Sequence, residues 1–247
     1  MAVVYGVLGK KLSHSFSKKY FEMKFKELNL ADHQYTNFEY AALKDFFSDL
    51  HNDPSIAGFN VTNPYKEEIL PFLDELSEEA KAIGAVNCVR IINGRRTGYN
   101  TDAYGFAQSI KPFLEPSHQK ALILGTGGAA KAVAYALNKI GVEVYFVTSG
   151  KDKPNDHHFF YSELNAMVFK NIKLVVNASP VGMFPAIQEF PGIPYEFIDS
   201  GHLCYDLIYN PEQTLFLKKC EERGASCING LSMLHLQAEK SWEIWNR

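Results

Sequence analysis

The chain has 247 residues, of which 46% are hydrophobic and 21% charged, and these proportions exclude a disordered chain and allow one large domain or two smaller ones. The formal net charge of -3 gives no basic surface for nucleic acid, and no apolar run approaches the roughly 20 residues that cross a bilayer. The first residues lack a basic region leading into an apolar core, so we expect no signal peptide and a cytoplasmic protein.

Strand and helix patterns alternate through the first part of the chain. Apolar runs and helical spacing predict strands at 3–8, 34–38, 56–62, 86–92 and 95–99, and helices at 16–28, 41–50 and 67–83. The last of these helices is interrupted near Pro71, and Asn93-Gly94 is the favoured two-residue hairpin turn between the last two strands. These elements predict a β-α-β-α-β unit followed by a hairpin.

The remainder of the chain predicts a second α/β unit. Its predicted helices are 104–114, 128–140, 212–222 and 231–245, and its strands are 121–124, 142–148, 173–178, 203–207 and 225–228. We therefore predict an α/β fold in which residues 1–102 form an N-terminal α/β domain and residues 103–230 a Rossmann-like, doubly wound dinucleotide-binding domain. The C-terminal helix, residues 231–247, is expected to pack back on the first domain.

Cysteine and histidine spacing predicts no metal site. The four cysteines contain no C-x-x-C pair, and we interpret them as small buried hydrophobic residues in a reducing compartment. The only adjacent histidines, His157 and His158, have no carboxylate or cysteine at metal-ligand spacing.

A glycine-rich turn between a predicted strand and a predicted helix is the strongest local motif. It consists of Gly125, Thr126, Gly127, Gly128, Ala129 and Ala130. The pattern G-x-G-x-x-A in this context is typical of dinucleotide binding, because the glycines permit a tight turn and the close approach of a pyrophosphate to the amides of a helix N-terminus. The alternative is a strand-helix turn that binds nothing.

The end of the following strand indicates which dinucleotide would bind. An NAD protein places Asp or Glu there for the ribose 2′-hydroxyl. The chain instead reads Thr148-Ser149-Gly150-Lys151, with Lys153 just beyond. Two hydroxyls and a lysine suit a 2′-phosphate, so we predict NADP rather than NAD. The alternative is that both lysines belong to a solvated loop.

Polar residues gather at three strand ends or helix starts of the first domain. The clusters are Ser13, Ser15 and Ser17; Asn60, Thr62, Asn63 and Lys66; and Asn100, Thr101 and Asp102. Each has a local alternative, because serine and aspartate cap helices and Asn-Pro makes a turn. Ligands bind at the carboxyl ends of strands in open α/β sheets, and a lysine and an aspartate can transfer a proton, so the clusters together predict a reactive site.

Ordered motifs along nearly the whole chain make it similar to the shikimate dehydrogenase family. The family patterns S-x-S, N-V-T-x-P-[FY]-K, G-A-V-N-T and N-T-D are met at residues 15–17, 60–66, 84–88 and 100–102. The patterns G-x-G-G-A, N-A-[ST], Y-D-x-x-Y and G-x-x-M-L-x-x-Q are met at residues 125–129, 177–179, 205–209 and 230–237. The resemblance implies reversible, NADPH-dependent reduction of 3-dehydroshikimate to shikimate, a step of chorismate and aromatic amino-acid biosynthesis.

The resemblance also implies roles for individual residues, with residues 1–102 as the substrate-binding and catalytic domain. Lys66 and Asp102 are the expected catalytic pair, and which of the two moves the proton stays open. The other expected substrate ligands are Ser15 and Ser17 for the carboxylate, with Tyr209 nearby, Thr62, Asn87 and Gln237 for the ring hydroxyls, and Asn60 in support. The expected ligands of NADP are the glycine-rich turn, Thr148, Ser149 and Lys151, with Leu207 and Gly230 facing the nicotinamide.

The chain departs from the family pattern after the second dinucleotide strand. The usual N-R-[ST] is Thr148-Ser149-Gly150 here, so the arginine that grips the 2′-phosphate is missing and the strength of the NADP preference stays open. The stretch 151–171 is short and aromatic where a longer helix is usual, and Cys88 replaces a threonine.

Two other functions stay open. One is a dehydrogenase of the same superfamily that acts on quinate or another polyhydroxy acid, against which the serine pair and Thr62 favour shikimate. The other is a carboxylate-sensing module without catalysis, against which Lys66 and Asp102 stand. We expect a small-molecule substrate, no nucleic-acid or membrane partner, and a monomer or homodimer.

Overall fold

The computed structural model describes residues 2–12, 16–150 and 155–247, so that Ser15 and Lys151 lie outside the described residues. The strands within these ranges are β1 (Val3–Gly9), β2 (His33–Glu39), β3 (Ile56–Val61), β4 (Glu75–Leu76), β5 (Cys88–Ile92), β6 (Arg95–Tyr99), β7 (Lys120–Leu124), β8 (Glu143–Thr148), β9 (His158–Phe160), β10 (Leu174–Asn177), β11 (Leu203–Asp206) and β12 (Ser226–Ile228). The α-helices are α1 (Phe16–Glu27), α2 (Leu43–His51), α3 (Tyr65–Glu68), α4 (Glu78–Ile83), α5 (Asp102–Ile110), α6 (Gly128–Lys139), α7 (Ala166–Asn171), α8 (Leu215–Glu221) and α9 (Leu231–Trp245).

The chain folds into two compact units. The first unit contains Met1–Thr101 and Ala238–Arg247, and the second contains Asp102–Gln237. Helix α9 therefore belongs to both, because its first turns lie in the second unit and its remainder in the first. The predicted C-terminal segment, residues 231–247, is divided between the two units after residue 237.

The first unit has a mixed six-stranded sheet with the order β2-β1-β3-β5-β6-β4. Strands β2, β1 and β3 run parallel, while β5 runs antiparallel to both β3 and β6. The β5–β6 hairpin turns at Asn93 and Gly94, whose φ values of 51° and 78° are the left-handed pair that a type I′ turn requires. Strand β3 is thus flanked on both sides, and its carboxyl end carries Asn60 into the interior.

Helix α9 packs its aromatic side chains on the sheet of the first unit. Trp245 stacks on Tyr5 with 4.6 Å between ring centroids, and its Nε1 donates a hydrogen bond to the Val89 backbone oxygen at 3.0 Å. Gly58 leaves room for the indole, since a Cβ there would lie 2.6 Å from Trp245 Nε1. These contacts fix the position of the end of α9 against β1, β3 and β5.

The second unit has a parallel six-stranded sheet with the order β12-β11-β10-β7-β8-β9. Strands β7 and β10 are central neighbours at which the winding direction changes, and this is the strand order of a doubly wound Rossmann fold. Both faces of such a sheet are covered, which explains why β10 and β11 are buried along their whole length. The predicted fold class is confirmed.

Three short elements differ from the predictions. Strand β4 interrupts the stretch predicted as a helix at 67–83, and β9 and α7 lie in the stretch for which no element was predicted. Strand β9 runs parallel to β8, with Phe160 opposite Thr148. Their connection, residues 149–157, is shorter than the dozen or so residues of a usual crossover helix. Strands of two or three residues are too short to show a periodic pattern in the sequence. They form because a neighbouring strand is available for pairing.

The four cysteines carry free thiols, and only Cys227 is not fully buried. No group of histidine, cysteine, aspartate or glutamate residues has a metal-binding arrangement in the part of the chain that the structure describes. Within the same ranges, none of the helices combines the length and apolar character that crossing a bilayer would need.

Candidate active site

The glycine-rich turn of the second unit joins β7 to α6 and packs on the loop after β10. Gly125 has a φ of +112°, in the left-handed region, and a Cβ there would lie 3.4 Å from the Ala178 carbonyl carbon. Gly127 is the N-cap of α6, where no side chain caps the helix and a Cβ would meet nothing within 4 Å. The first turn of α6 carries no acidic residue, so its amides and the positive end of its dipole suit a pyrophosphate.

The end of β8 offers hydroxyl groups where the ribose of a dinucleotide would lie. The Thr148 hydroxyl accepts a hydrogen bond from the Gly150 backbone nitrogen at 3.0 Å, which leaves the hydroxyl able to act as a donor. Ser149 is exposed beside it, and neither of these positions carries a carboxylate. This donor set fits a 2′-phosphate better than a ribose diol, as the sequence predicts.

Leu207 and Gly230, the residues predicted to face the nicotinamide, lie side by side at the carboxyl end of β11. A Cβ on Gly230 would overlap the Leu207 backbone oxygen, so only glycine permits this approach. The Leu207 nitrogen donates to the Asn177 backbone oxygen, and the Gly230 nitrogen to that of Ile208, both at 3.0 Å. Tyr209 follows in the same turn, and burial raises the pKa of its phenol.

A buried carboxylate connects the turns that follow β10 and β11. The Oδ1 atom of Asp206 accepts hydrogen bonds from Asn177 Nδ2 and from the Ile208 nitrogen, both at 3.0 Å. Its Oδ2 atom accepts from the Thr214 hydroxyl at 2.6 Å. Burial outweighs these donors and raises the pKa of Asp206 to about 6. Asn177 extends the group, since its Oδ1 atom accepts from the Ser179 hydroxyl at 2.7 Å.

Asn60, Asn87 and Thr101 form one buried hydrogen-bonded group in the first unit. The Thr101 backbone nitrogen donates to Asn87 Oδ1 at 2.6 Å, and Asn87 Nδ2 donates to the Thr101 hydroxyl at 2.9 Å. Asn60 Nδ2 donates to the Asn87 backbone oxygen at 3.2 Å and to the Ser241 hydroxyl at 2.9 Å. Both amide protons of Asn60 therefore have partners inside the protein, and its side chain connects β3 to Asn87 and Ser241.

Thr62 and Lys66 follow β3 directly and lie beside this group. The Thr62 nitrogen donates to the Leu8 backbone oxygen at 2.9 Å, which continues the β1–β3 pairing past the last residue of β3. Lys66 is in the short helix α3, and its backbone oxygen accepts from the Val86 nitrogen at 2.7 Å. That bond places the start of α3 next to Asn87, so the first unit brings three predicted substrate residues together.

Asp102 and Gln237 lie on neighbouring helices of the second unit, and both are buried. Gly105 is one turn after Asp102 in α5, and a Cβ there would lie 2.7 Å from the Met233 backbone oxygen and 3.1 Å from Gln237 Cβ. Helices α5 and α9 are therefore in close contact. Helix α5 begins at Asp102, two residues before the predicted start, so Asp102 is in its first turn and does not cap a helix that starts at Tyr104.

Several residues that organise the site were not identified from the sequence. Asp206 and Asn177 lie inside recognised motifs, but nothing in their spacing shows that their side chains meet. Tyr35 and Ser241 reach Asn60 from β2 and α9, far away along the chain. Ser241 lies four residues after Gln237 on one face of α9, which is the only signal that could have identified it.

The strand order of the second unit and its glycine-rich turn define the chain as a Rossmann-type dinucleotide-binding α/β protein, to which the first unit adds a buried polar cluster. The family model described as the shikimate dehydrogenase substrate binding domain matches residues 7–89. The shikimate dehydrogenase (NADP(+)) of Carboxydothermus hydrogenoformans is 40% identical over an alignment of 258 positions, gaps included, which covers 97% of this chain and 90% of that relative. The chain belongs to the shikimate dehydrogenase family.

Solved structures agree with this assignment. The crystal structure of shikimate 5-dehydrogenase from Thermus thermophilus in complex with NADP(H) and shikimate has a TM-score of 0.84 and 30% identity, covering 98% of this chain and 93% of that chain. Shikimate 5-dehydrogenase from Listeria monocytogenes, in complex with shikimate and NAD, has a TM-score of 0.86 and 28% identity, covering 99% and 92%. Both likenesses extend over the two units.

Replacement of Asp206 by Asn tests whether the pKa of the Asp206 carboxyl group is raised in the folded protein. The pKa of about 6 lies above the ordinary value of 3.8, so the carboxyl group contributes its full stability below about pH 4 and loses it as the pH rises through 6. Asp206→Asn cannot ionise. We therefore expect the difference in free energy of unfolding between the two proteins to shift in favour of the variant by up to about 3 kcal/mol between about pH 4 and about pH 8.

Urea denaturation of both proteins at the two pH values measures this difference. All other titrating groups are common to parent and variant, so their contributions cancel. A difference that stays constant with pH would show that Asp206 is ionised throughout and that its three hydrogen-bond donors outweigh its burial.

Proposed function

We propose that this chain catalyses the reversible, NADPH-dependent reduction of 3-dehydroshikimate to shikimate, a step of chorismate and aromatic amino-acid biosynthesis. The observation that carries the proposal is the buried group of Asn60, Asn87 and Thr101 in the unit that the substrate-binding family model matches. A small polyhydroxylated acid requires several short hydrogen-bonding side chains in place of a large apolar pocket. The 40% identical relative named shikimate dehydrogenase (NADP(+)) supports the same reaction.

The proposed substrate ligands follow from the chemistry of shikimate. Its carboxylate suits the hydroxyls of Ser17 and of Ser15, which lies outside the described residues, with Tyr209 as a further donor. Its ring hydroxyls suit side chains that both donate and accept, and those proposed are Thr62, Asn87, Asp102 and Gln237. Asn60 is proposed to hold Asn87 in place.

Catalysis requires a proton at the carbonyl oxygen as negative charge develops there. NADPH, when bound, supplies the hydride. We assign Lys66 to this oxygen, because an ammonium group both stabilises the charge and carries a transferable proton. The fixed backbone bond between Lys66 and Val86 keeps the lysine beside Asn87. Asp102 is the second proposed catalytic group, accepting a hydrogen bond from a ring hydroxyl.

The proposed cofactor ligands lie in the second unit. The amides of Gly127, Gly128 and Ala129 would hold the pyrophosphate, with Gly125 and Thr126 shaping the turn. Thr148 and Ser149 would donate to the 2′-phosphate, together with Lys151, which the structure does not describe. Leu207 and Gly230 would border the nicotinamide. A cytoplasmic location and a monomeric or homodimeric state complete the proposal.

A substrate panel tests the reaction itself. The purified protein is expected to reduce NADP⁺ in the presence of shikimate, with a higher kcat/KM than with quinate or other polyhydroxy acids. A higher efficiency with quinate would move the assignment to a quinate dehydrogenase. Shikimate binding without turnover would identify a sensing module instead.

Lys66→Ala and Asp102→Asn provide the mechanistic part of that test. Each is expected to lower kcat by a factor of about 10² or more, the usual weight of a positioned proton-transfer group. Shikimate affinity should change far less than kcat in Lys66→Ala. Lys81→Ala is the matched control, because Lys81 is an exposed lysine of the same unit that pairs with Glu78. Near-native turnover in either site variant would remove that residue from the catalytic pair.

The cofactor assignment predicts the effect of adding an arginine. Ser149→Arg should raise the ratio of kcat/KM with NADPH to kcat/KM with NADH by about tenfold, because a guanidinium group meets a phosphate with two hydrogen bonds. Ser149→Ala should lower the same ratio by removing a donor. Steady-state kinetics with both cofactors measure it. If neither variant changes the ratio, Ser149 does not face the 2′-phosphate.

A further inference from the structure

We propose that Ser241 and Tyr35 are positioning residues for the substrate, which fix the Asn60–Asn87–Thr101 group through one path of buried hydrogen bonds. The inference rests on the proposed function and deepens it, because it adds two residues from β2 and α9 to the substrate site. All five residues belong to the first unit.

Ser241 connects Asn60 of β3 to Thr101, which lies two residues after the end of β6. Its side chain is completely buried, and its hydroxyl oxygen accepts a hydrogen bond from Asn60 Nδ2 at 2.9 Å. The same oxygen lies 3.2 Å from the hydroxyl of Thr101, and Thr101 immediately precedes Asp102 in the chain. In one arrangement that uses each proton once, Asn60 donates to Ser241, Ser241 to Thr101, and Thr101 to Asn87 Oδ1 at 3.2 Å.

Tyr35 completes the other end of the path. Its phenol is 3% exposed and donates to Asn60 Oδ1 at 2.8 Å. Burial raises the pKa of this phenol well above 10. Tyr35 therefore stays a donor to the amide of Asn60 at neutral pH.

The amide of Asn60 is fully used inside the protein. With Ser241 and Tyr35 in place, both of its amide protons and its oxygen are satisfied. Loss of either hydroxyl leaves a buried polar atom without its partner, and the amide must rotate or shift to recover a hydrogen bond. Because Asn60 Nδ2 also holds the Asn87 backbone oxygen, such a shift moves the proposed ligand of the ring hydroxyls. A small displacement of a group that positions the substrate lowers catalytic efficiency strongly.

Ser241→Ala and Tyr35→Phe test the proposal, since each removes one hydroxyl and keeps the shape of the core. Each is expected to raise the KM for shikimate about threefold to tenfold, the effect of one hydrogen bond. The KM for NADP⁺ should stay within about twofold, because no cofactor ligand is part of the path. Ser109→Ala is the matched control, since Ser109 is buried in the second unit and hydrogen-bonds to the Tyr205 phenol at 2.7 Å. It should lower the melting temperature and leave the KM for shikimate unchanged.

Two results would overturn the proposal. The first would leave the proposed function intact, and the second would overturn the proposed function as well. If the parent protein turns over shikimate and both variants lose thermal stability without a change in the KM for shikimate, the two hydroxyls serve stability alone and the proposed function stands. If the parent neither turns over nor binds shikimate in a calorimetric titration, the proposed function fails and this inference fails with it. Tyr35→Phe keeps the test decisive should Ser241→Ala not fold.

Discussion

The buried amide of Asn60 is the interaction on which the arrangement of the first unit depends. A primary amide removed from water needs partners for its two protons and its oxygen, and an unmet group costs about 1–3 kcal/mol. The backbone pairing of β3 with its neighbours satisfies backbone groups only. The partners of the Asn60 side chain come instead from β2, from α9 and from the chain before β5. Two of these three parts also carry proposed substrate residues, since Gln237 lies in α9 and Asn87 directly precedes β5.

The second unit also contains a buried polar side chain that needs hydrogen-bond partners, and this one is the carboxyl group of Asp206. Asp206 ends a fully buried strand, and its three donors come from the last residue of β10, from its own turn and from the N-cap of α8. A carboxylate holds three elements together, but burial raises its pKa to about 6 and makes the bonds sensitive to pH. The amide of Asn60 does not titrate, so its hydrogen bonds do not depend on its own protonation. The turns of the second unit are thus held by a titratable carboxyl group, Asp206, whereas the polar group of the first unit is held by a neutral amide, Asn60.

Features with a local signal were predictable from the sequence. Long apolar strands, the Asn93-Gly94 hairpin and the turn at Gly125 have residue patterns that physical rules decode directly, and the structure has them where the patterns indicate. Strands β4 and β9 have two and three residues, too few for a periodic signal, and exist because a neighbouring strand is available for pairing.

The candidate site shows the same division. The residues that would touch ligands lie in motifs and could be named in advance, including Lys66, Asn87 and Asp102. The residues that hold them could not, because Ser241 and Tyr35 are 181 and 25 positions away from Asn60 and become its neighbours only when α9 and β2 are in place. Asn60 was expected among the substrate residues in a supporting role, and the structure shows which residues its amide connects.

A crystal structure of the protein grown with shikimate tests the central claim most directly. We expect the ring hydroxyls of shikimate to bind the side chains of Asn87 and Lys66, while Asn60 keeps its hydrogen bonds to Ser241 and Tyr35 and makes none to the ligand. Shikimate bound away from Asn87, or an Asn60 amide that leaves Ser241 to bind shikimate, would contradict it.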